Sequence, residues 1–349
     1  MKNILITGGS GYIGSHTCVT LLEKGYKITI VDSNVNSSPI SIERIKEIIK
    51  KKVLKDNISF FPGDLRDKIF LNKVFLKAKE ENNPINAVIH FAGFKSSSES
   101  ILKPLIYWEN NVFGSICLIE IMRKYDCKNI VFSSSASIYG EHSINPIMET
   151  SEIKPSTPYG HTKVAIENIL DSTFKSSQES WRIANLRYFN PIGAHESGLL
   201  GESPLNFPNN LFPIICKVAQ GQLDQLSIYG NDWPTPDGTG VRDYIHVMDL
   251  ADAHCTALDF LFRNKPQILN LNIGTGIATS VLELVEKFSQ VNKCSVPYKF
   301  CAKRSGDLPI VVADNKKAIS LLNWTPKQNL ENMCKDGWNW QKFNPNGFM

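Results

Sequence analysis

The chain has no Cys-x-x-Cys pair, no apolar run long enough to span a bilayer, no internal repeat and no strong excess of one charge. Each absence closes off a class of protein. The eight cysteines, Cys18, Cys117, Cys127, Cys216, Cys255, Cys294, Cys301 and Cys334, lie mostly in apolar contexts. Free buried thiols in a reducing compartment fit them better than a disulfide framework or a structural zinc site. With no bilayer-length segment and a first strand that starts at once, leaving no leader segment, the chain reads as soluble and cytoplasmic. A net charge of +4 over 349 residues, with the lysines dispersed, is too weak to argue for nucleic acid. Lys46, Lys50, Lys51, Lys52 and Lys55 form one basic stretch, but Ile42, Ile45, Ile48, Ile49 and Val53 recur through it at helical spacing. That pattern describes a solvated helix face. His90, His161 and His246 stand apart without ligand spacing, and Asp232, Asp237 and Asp243 sit among glycine and proline, as turn residues do. No metal site is expected.

What is present begins at the first strand. Ile4 to Ile6 is an apolar run, followed by Gly8, Gly11 and Gly14 at three-residue spacing. A helix starts near Tyr12 and carries Val19, Leu21 and Leu22. Glycines between a strand and a helix allow a sharp turn and close approach of a pyrophosphate, whose charge the helix N-terminus attracts. A second apolar run, Ile28 to Val31, ends at Asp32. A carboxylate there accepts hydrogen bonds from ribose hydroxyls and repels a 2′-phosphate, which favours NAD over NADP.

Strand and helix patterns alternate through the first half. Helices are expected at Ile42–Val53, Lys68–Lys79, Pro104–Tyr125 and from Tyr159 to about Phe174; strands at Ile58–Phe61, Ala87–Phe91, Asn129–Phe132 and Ile183–Leu186. This α/β alternation predicts a Rossmann-like doubly wound parallel sheet with ligands at the C-terminal strand ends. Asp32, Asp64, Gly93, Ser135 and Arg187 fall at or just beyond such ends. Residues 190–240 are rich in Gly, Pro, Asn and Asp, with a short helix at Leu211–Val218; a helix at Val247–Phe262 and a strand at Ile268–Ile273 follow. The expected division is 1–189 for a dinucleotide domain, with segments near 241–262 returning to it, and 190–349 for a smaller, non-contiguous substrate region. Trp338 and Trp340 are expected to pack the last segment onto that region.

Tyr159 and Lys163 stand four residues apart in Ser156-Thr157-Pro158-Tyr159-Gly160-His161-Thr162-Lys163. On a helix they share a face. A fixed ammonium favours the phenolate, which makes a proton acceptor usable near neutral pH. Beside such a pair, the strand-end serines Ser133, Ser134 and Ser135 include a candidate catalytic hydroxyl. Arg242 and Arg304 are forked cations suited to a diphosphate.

Together these residues resemble the extended short-chain dehydrogenase/reductase family over nearly the whole chain. The resemblance is carried by Thr7 to His16, Phe91-Ala92-Gly93-Phe94-Lys95, Phe132 to Gly140, Pro158 to Lys163, Pro208 to Leu211 and Gly306-Asp307-Leu308-Pro309. Arg187-Tyr188-Phe189-Asn190-Pro191 and Gly240-Val241-Arg242-Asp243-Tyr244-Ile245-His246-Val247 are similar to the nucleotide-sugar members alone, and among these to the UDP-hexose 4-epimerases.

The resemblance implies the following roles. Tyr159 is the acid/base residue, Lys163 holds the nicotinamide ribose and lowers the tyrosine pKa, and Ser135 hydrogen-bonds the sugar. Gly8, Gly11, Tyr12, Ile13, Gly14, Asp32, Asn36, Ser37, Asp64, Leu65, Phe91, Ala92, Gly93, Lys95, Asn110 and Phe189 line the NAD site with Tyr159 and Lys163. Lys95, Ser135, Tyr159, Asn190, Asn210, Leu211, Tyr229, Arg242, Arg304, Asp307 and Val311 face the UDP-sugar. The implied reaction inverts carbon 4 of UDP-galactose or UDP-glucose through a transient 4-keto sugar, in a homodimer built from Pro104–Tyr125 and Pro158–Phe174. Val311 stands where relatives restricted to plain hexoses often carry tyrosine, which implies room for N-acetylated sugars. Ser33 replaces an asparagine common after the aspartate and affects one adenosine contact. A 4,6-dehydratase needs an acidic pair after the catalytic hydroxyl, whereas Ala136 and Ser137 follow Ser135. A non-catalytic NAD-binding protein would lack Ser135, Tyr159 or Lys163, and all three are present.

Overall fold

The computed structural model describes residues 1–50, 57–140, 145–177, 180–205, 207–304 and 306–348. Lys51, Lys52, Val53 and Lys55, expected at the end of the second helix, lie outside the described residues.

The chain opens as alternating strand and helix: β1 (Asn3–Thr7), α1 (Tyr12–Glu23), β2 (Lys27–Asp32), α2 (Ile40–Lys50), β3 (Ile58–Pro62), α3 (Lys68–Glu80) and β4 (Ile85–His90). Then come α4 (Ser97–Leu102), α5 (Pro104–Tyr107), a π-helical turn (Trp108–Phe113), α6 (Gly114–Lys124), β5 (Asn129–Ser133), α7 (Pro158–Ser176) and β6 (Arg182–Tyr188). The remainder holds β7 (Asn190–Ile192), α8 (Leu211–Ala219), β8 (Leu226–Tyr229), β9 (Val241–Arg242), β10 (Tyr244–His246), α9 (Val247–Arg263), β11 (Gln267–Ile273) and β12 (Thr279–Ser280). It ends with α10 (Val281–Asn292), β13 (Tyr298–Cys301), β14 (Ile310–Val311), α11 (Lys316–Leu322) and α12 (Leu330–Phe343).

Seven strands form the main sheet in the order β11-β6-β5-β4-β1-β2-β3, and β1 to β6 pair in parallel. The order reverses at β1/β4, where a doubly wound sheet opens a crevice beyond its strand ends. One sheet face supplies Leu5, Val31, Val88, Ile130 and Phe132 to a core with Leu71 and Phe75 of α3, Leu118 and Met122 of α6, and Leu170 of α7. The alternate residues Ile4, Ile6, Ile28 and Ile30 are buried as well. Both faces are covered, so these strands read as continuous apolar runs rather than as alternating ones.

Two compact units result. One comprises Met1–Gly140, Glu152–Arg187 and Ala251–Leu271; the other comprises the described residues of Glu141–Ser151, Tyr188–Leu250 and Asn272–Met349. The second unit has its own core, in which Phe212 of α8, Phe288 of α10 and Met333 and Cys334 of α12 meet Leu226 and Ile228. Trp338 stacks edge-on against Phe288 with centroids 5.6 Å apart, and Trp340 Nε1 donates to the Glu202 carbonyl at 3.2 Å.

The helix expected over Pro104–Tyr125 forms without a break as far as Lys124, but its Trp108–Phe113 portion is a π turn, and there the Asn111 side chain bonds to the backbone of Phe94. The cysteines are free among the described residues. No helix among them is long and apolar enough to cross a membrane, and no cluster of His, Cys, Asp or Glu among them could hold a metal.

Candidate active site

The glycine loop follows the end of β1. Gly8 has φ +73°, and a Cβ on it would stand 2.7 Å from the Ala92 nitrogen, against backbone that cannot yield. A Cβ on Gly14 would collide with the Gly8 carbonyl oxygen. Gly11 caps α1 and, being glycine, brings no side chain of its own to the first amides of the helix. Those amides, with the helix dipole, form a site suited to an anion. Asp32 ends β2 and is buried; its carboxylate accepts from the backbone of Ser10 and Asn34 and from Ser37 Oγ, each at 2.9 Å. A tight glycine cradle beside a fixed carboxylate is the donor and acceptor set that a dinucleotide requires, so the residues fit NAD.

The other expected cofactor residues lie in the same unit, except Phe189. Tyr12 and Ile13 begin α1, and Asn36 is exposed in the loop after β2. Leu65 is buried, and Asp64 is held by Arg66, whose Nη2 lies 2.6 Å away; this hydrogen bond keeps the Asp64 carboxyl below its usual range. After β4, Phe91 packs on the His254 ring at 4.7 Å, Ala92 N donates to the Thr7 carbonyl, and Lys95 is exposed. Asn111 clamps this loop. It exchanges hydrogen bonds with Phe94 at 2.8 and 3.0 Å and donates to Thr162 of α7 at 3.3 Å; Asn110 donates to it at 3.0 Å.

Thr157 caps α7 by accepting from Gly160 N at 3.2 Å, and Pro158 fills the first helical position. Tyr159 and Lys163 therefore stand in its first turns, both buried. Lys163 Nζ lies 5.7 Å from the Tyr159 ring centre and donates to the Ser133 carbonyl at 2.7 Å. Burial pulls its pKa down to about 8, against the opposing charge of Glu167. Ser135 is extended, and its Oγ accepts from Ser137 N at 3.2 Å.

Three groups that were assigned no role in the site from the sequence support this unit. His90 is buried between Thr7 Oγ1 at 2.7 Å and Ser115 Oγ at 2.8 Å. Burial, then the nearby Lys163 charge, holds its pKa down to about 3, so the ring is neutral. Glu167 and Arg187 form a buried ion pair at 2.7 Å. Burial disfavours the guanidinium charge, but the bonds and attraction of Glu167 more than offset this and raise the Arg187 pKa. Only the four-residue step from Lys163 to Glu167 could have signalled the pair.

The expected substrate residues outside the first unit gather largely around β9. Arg242 donates to the carbonyls of Val241 and Leu308 at 2.8 and 2.9 Å. Burial lowers its pKa; Tyr244 and Asp307 oppose this, and Arg304 adds to it. Arg304 stacks 4.4 Å over the Tyr229 ring and pairs with Asp307 at 2.9 Å. Val311 is the register partner of Arg242, and Asn190 N bonds to the Asp243 carbonyl. Phe189 is buried, with its N–H on the Ile273 carbonyl. Asn210 and Leu211 open α8 instead, with Asn210 Nδ2 tied to Glu202 at 2.7 Å. His246 accepts from Met248 N and faces Asp336, and Asp243 is satisfied by Thr275, Gly276 and Ala313, so packing and turn formation account for both.

The family described as GDP-mannose 4,6 dehydratase matches residues 5–337. The chain belongs to this family of nucleotide-sugar enzymes, built on the extended short-chain dehydrogenase/reductase fold. Its relatives include UDP-glucose 4-epimerase 2 of Arabidopsis thaliana, 47% identical over 347 residues, covering 99% of this chain and 97% of that one. The UDP-glucose 4-epimerase of Bacillus subtilis is 48% identical over 345 residues, covering 99% and 98%. The crystal structure of the Bifidobacterium longum UDP-glucose 4-epimerase in complex with NAD+ and UDP superimposes with a TM-score of 0.92 at 41% identity, covering 99% and 100%.

Proposed function

We infer that this chain is an NAD-dependent epimerase that inverts carbon 4 of UDP-galactose and UDP-glucose. The observation that carries this reading is the buried ammonium of Lys163, fixed on the Ser133 carbonyl beside Tyr159. Gly8, Gly11, Gly14 and Asp32 would hold NAD, which when bound supplies a hydride acceptor and donor. Arg242 and Arg304 would bind the diphosphate of the UDP-sugar, because forked cations match its oxygens. Tyr159, as phenolate, takes the proton of the 4-hydroxyl, and Ser135 holds the same oxygen. Lys163 keeps the phenolate charge compensated. The sugar passes through a transient 4-ketone and turns about its bond to the diphosphate, so that carbon 4 would take hydride back on its opposite face while Tyr159 returns the proton to the 4-oxygen. Residues 1–189 serve chiefly the cofactor and 190–349 chiefly the substrate.

Val311 favours a second reading beside the first. It is half-buried and pairs in register with Arg242, and a side chain of this size would leave room for an N-acetyl group at carbon 2 where a tyrosine would not. UDP-N-acetylglucosamine and UDP-N-acetylgalactosamine then become substrates as well, and Val311→Tyr should abolish that activity alone. A homodimer through 104–125 and 158–174 has support in the exposed Leu105, Ile106, Trp108 and Phe113. We assign this activity to galactose metabolism, in the cytoplasm.

The test is to incubate the purified protein with each of the four UDP-sugars and separate the products. Equilibration of UDP-galactose with UDP-glucose is expected, extending to the acetylated pair. A protein that retains NAD and turns over none of them is not an epimerase.

A further inference from the structure

Tyr159, Lys163 and Glu167 follow one another at four-residue steps, so they occupy one face of α7. The first two act in the proposed reaction; the third has no role in it. Glu167 is 7% exposed, and its partner Arg187 is 2% exposed. Arg187 grips it with two nitrogens: Nε lies 3.1 Å from Oε1 and Nη2 lies 2.7 Å from Oε2. The remaining Arg187 nitrogen, Nη1, donates to the Tyr139 hydroxyl at 3.1 Å. A buried pair of charges is weak support for stability, since apolar residues of similar volume commonly do as well. Its bonds point to another use. Ser134 Oγ donates to Glu167 Oε1 at 2.6 Å, while Lys163 holds the carbonyl of Ser133. Two consecutive residues at the end of β5 are thereby tied to α7, and the next residue is Ser135.

We propose that Glu167, clamped by Arg187, is a positioning residue for the reaction: it fixes Ser134 to α7, which sets where Ser135 stands, and it presents negative charge one turn beyond the Lys163 ammonium. Arg187 holds both carboxylate oxygens, so Glu167 can neither swing away nor turn to bond Lys163 directly. The geometry serves Ser135 and the charge serves Lys163. This inference rests on the epimerase reading above.

The test uses the full chain with its bound NAD. In the double variant Glu167→Gln/Arg187→Gln, amides replace both buried charges and retain hydrogen-bonding groups. The expected result is a fall in kcat for UDP-galactose of about tenfold or more, with KM within about twofold. The alkaline limb of the kcat profile should move down by a few tenths of a pH unit, because Lys163 loses the supporting carboxylate charge while the loss of the Arg187 charge offsets part of the effect. A second readout does not depend on turnover. The ultraviolet tyrosinate signal assigned to Tyr159, obtained by difference against Tyr159→Phe in each background, should titrate at higher pH in the double variant. A folded double variant with a parental alkaline limb and a parental tyrosinate titration overturns the proposal. Should the double variant fail to fold, Ser134→Ala decides: it leaves the ion pair in place, and parental kcat in it overturns the proposal, whereas a fall of about fivefold or more at unchanged KM supports it. A parent protein that turns over no UDP-sugar while the tyrosinate shift is present would refute the epimerase reading and not this coupling.

Discussion

The ammonium of Lys163 donates to the carbonyl of Ser133 at 2.7 Å. The residue proposed to compensate charge beside Tyr159 thus also pins the end of β5, one strand from the reversal point of the sheet. Replacement by methionine removes both functions. Lys163→Met is expected to lower kcat by about 100-fold or more, the scale of an acid/base contribution. Lys163→Arg should not restore it, because a planar fork cannot take the place of a compact ammonium. Burial holds the Lys163 pKa down to about 8, so activity that needs the ammonium is present below that pH and declines above it. A kcat profile from pH 6 to 10 checks both statements.

Gly14→Ala tests the cofactor cradle. The added methyl would strike the Gly8 carbonyl oxygen, and backbone must move to admit it. A destabilisation of about 1–3 kcal/mol is expected, read from the urea midpoint. NAD should be lost on gel filtration.

His90 makes stability depend on pH. Its folded pKa of about 3 lies below the ordinary histidine value, so between the two the unfolded chain binds the extra proton. Stability from this residue is intact above about pH 6.5 and declines as pH falls toward 3, by up to about 1.4 kcal/mol per pH unit. His90→Gln should flatten the dependence of the urea midpoint between pH 7 and pH 5 by about that slope. An unchanged slope would show that the ring is not neutral in the fold.

The Glu167–Arg187 pair predicts an asymmetry between single and double variants. Arg187→Met alone leaves a buried carboxylate without its counter-charge and should cost about 3–5 kcal/mol. Adding Glu167→Leu should recover most of that loss, although activity should not follow. Thermal and urea unfolding of the parent and the two variants measure both parts.

Much of this was legible in the amino-acid sequence because the relevant signals are local. The glycine spacing, the carboxylate at the end of the second strand and the Tyr159/Lys163 step each depend on neighbours within one strand-turn-helix unit. Helix ends followed the same logic: Pro158 and Thr157 mark the start of α7, and the observed start of α1 and the limits of α3, α8 and α9 fall within a residue or so of the expected ones. What stayed hidden depends on partners distant in sequence. Asn111 meets Phe94 and Thr162, 17 and 51 residues away, and His90 meets Thr7 across 83. Arg187 was recognisable as a strand-end residue, but its two-nitrogen grip on Glu167 exists only once β6 lies beside β5. Asn210 is a further case: its resemblance to a substrate residue was clear, whereas the bond of its amide to Glu202, eight residues away, was not.

The six-residue π turn at Trp108–Phe113 has a cost in mutational freedom. A π turn holds one residue more than an α turn, so removing one position there would let the segment close as ordinary α-helix, whereas adding one would rotate the upstream segment against Gly114–Lys124 by about 100°. Asn111 would then leave Phe94 and Thr162, or Leu118 and Met122 would leave the core. Adding a position there should therefore be tolerated less well than removing one, and substitutions at the exposed Trp108 and Phe113 should act on the proposed dimer rather than on the fold of the subunit.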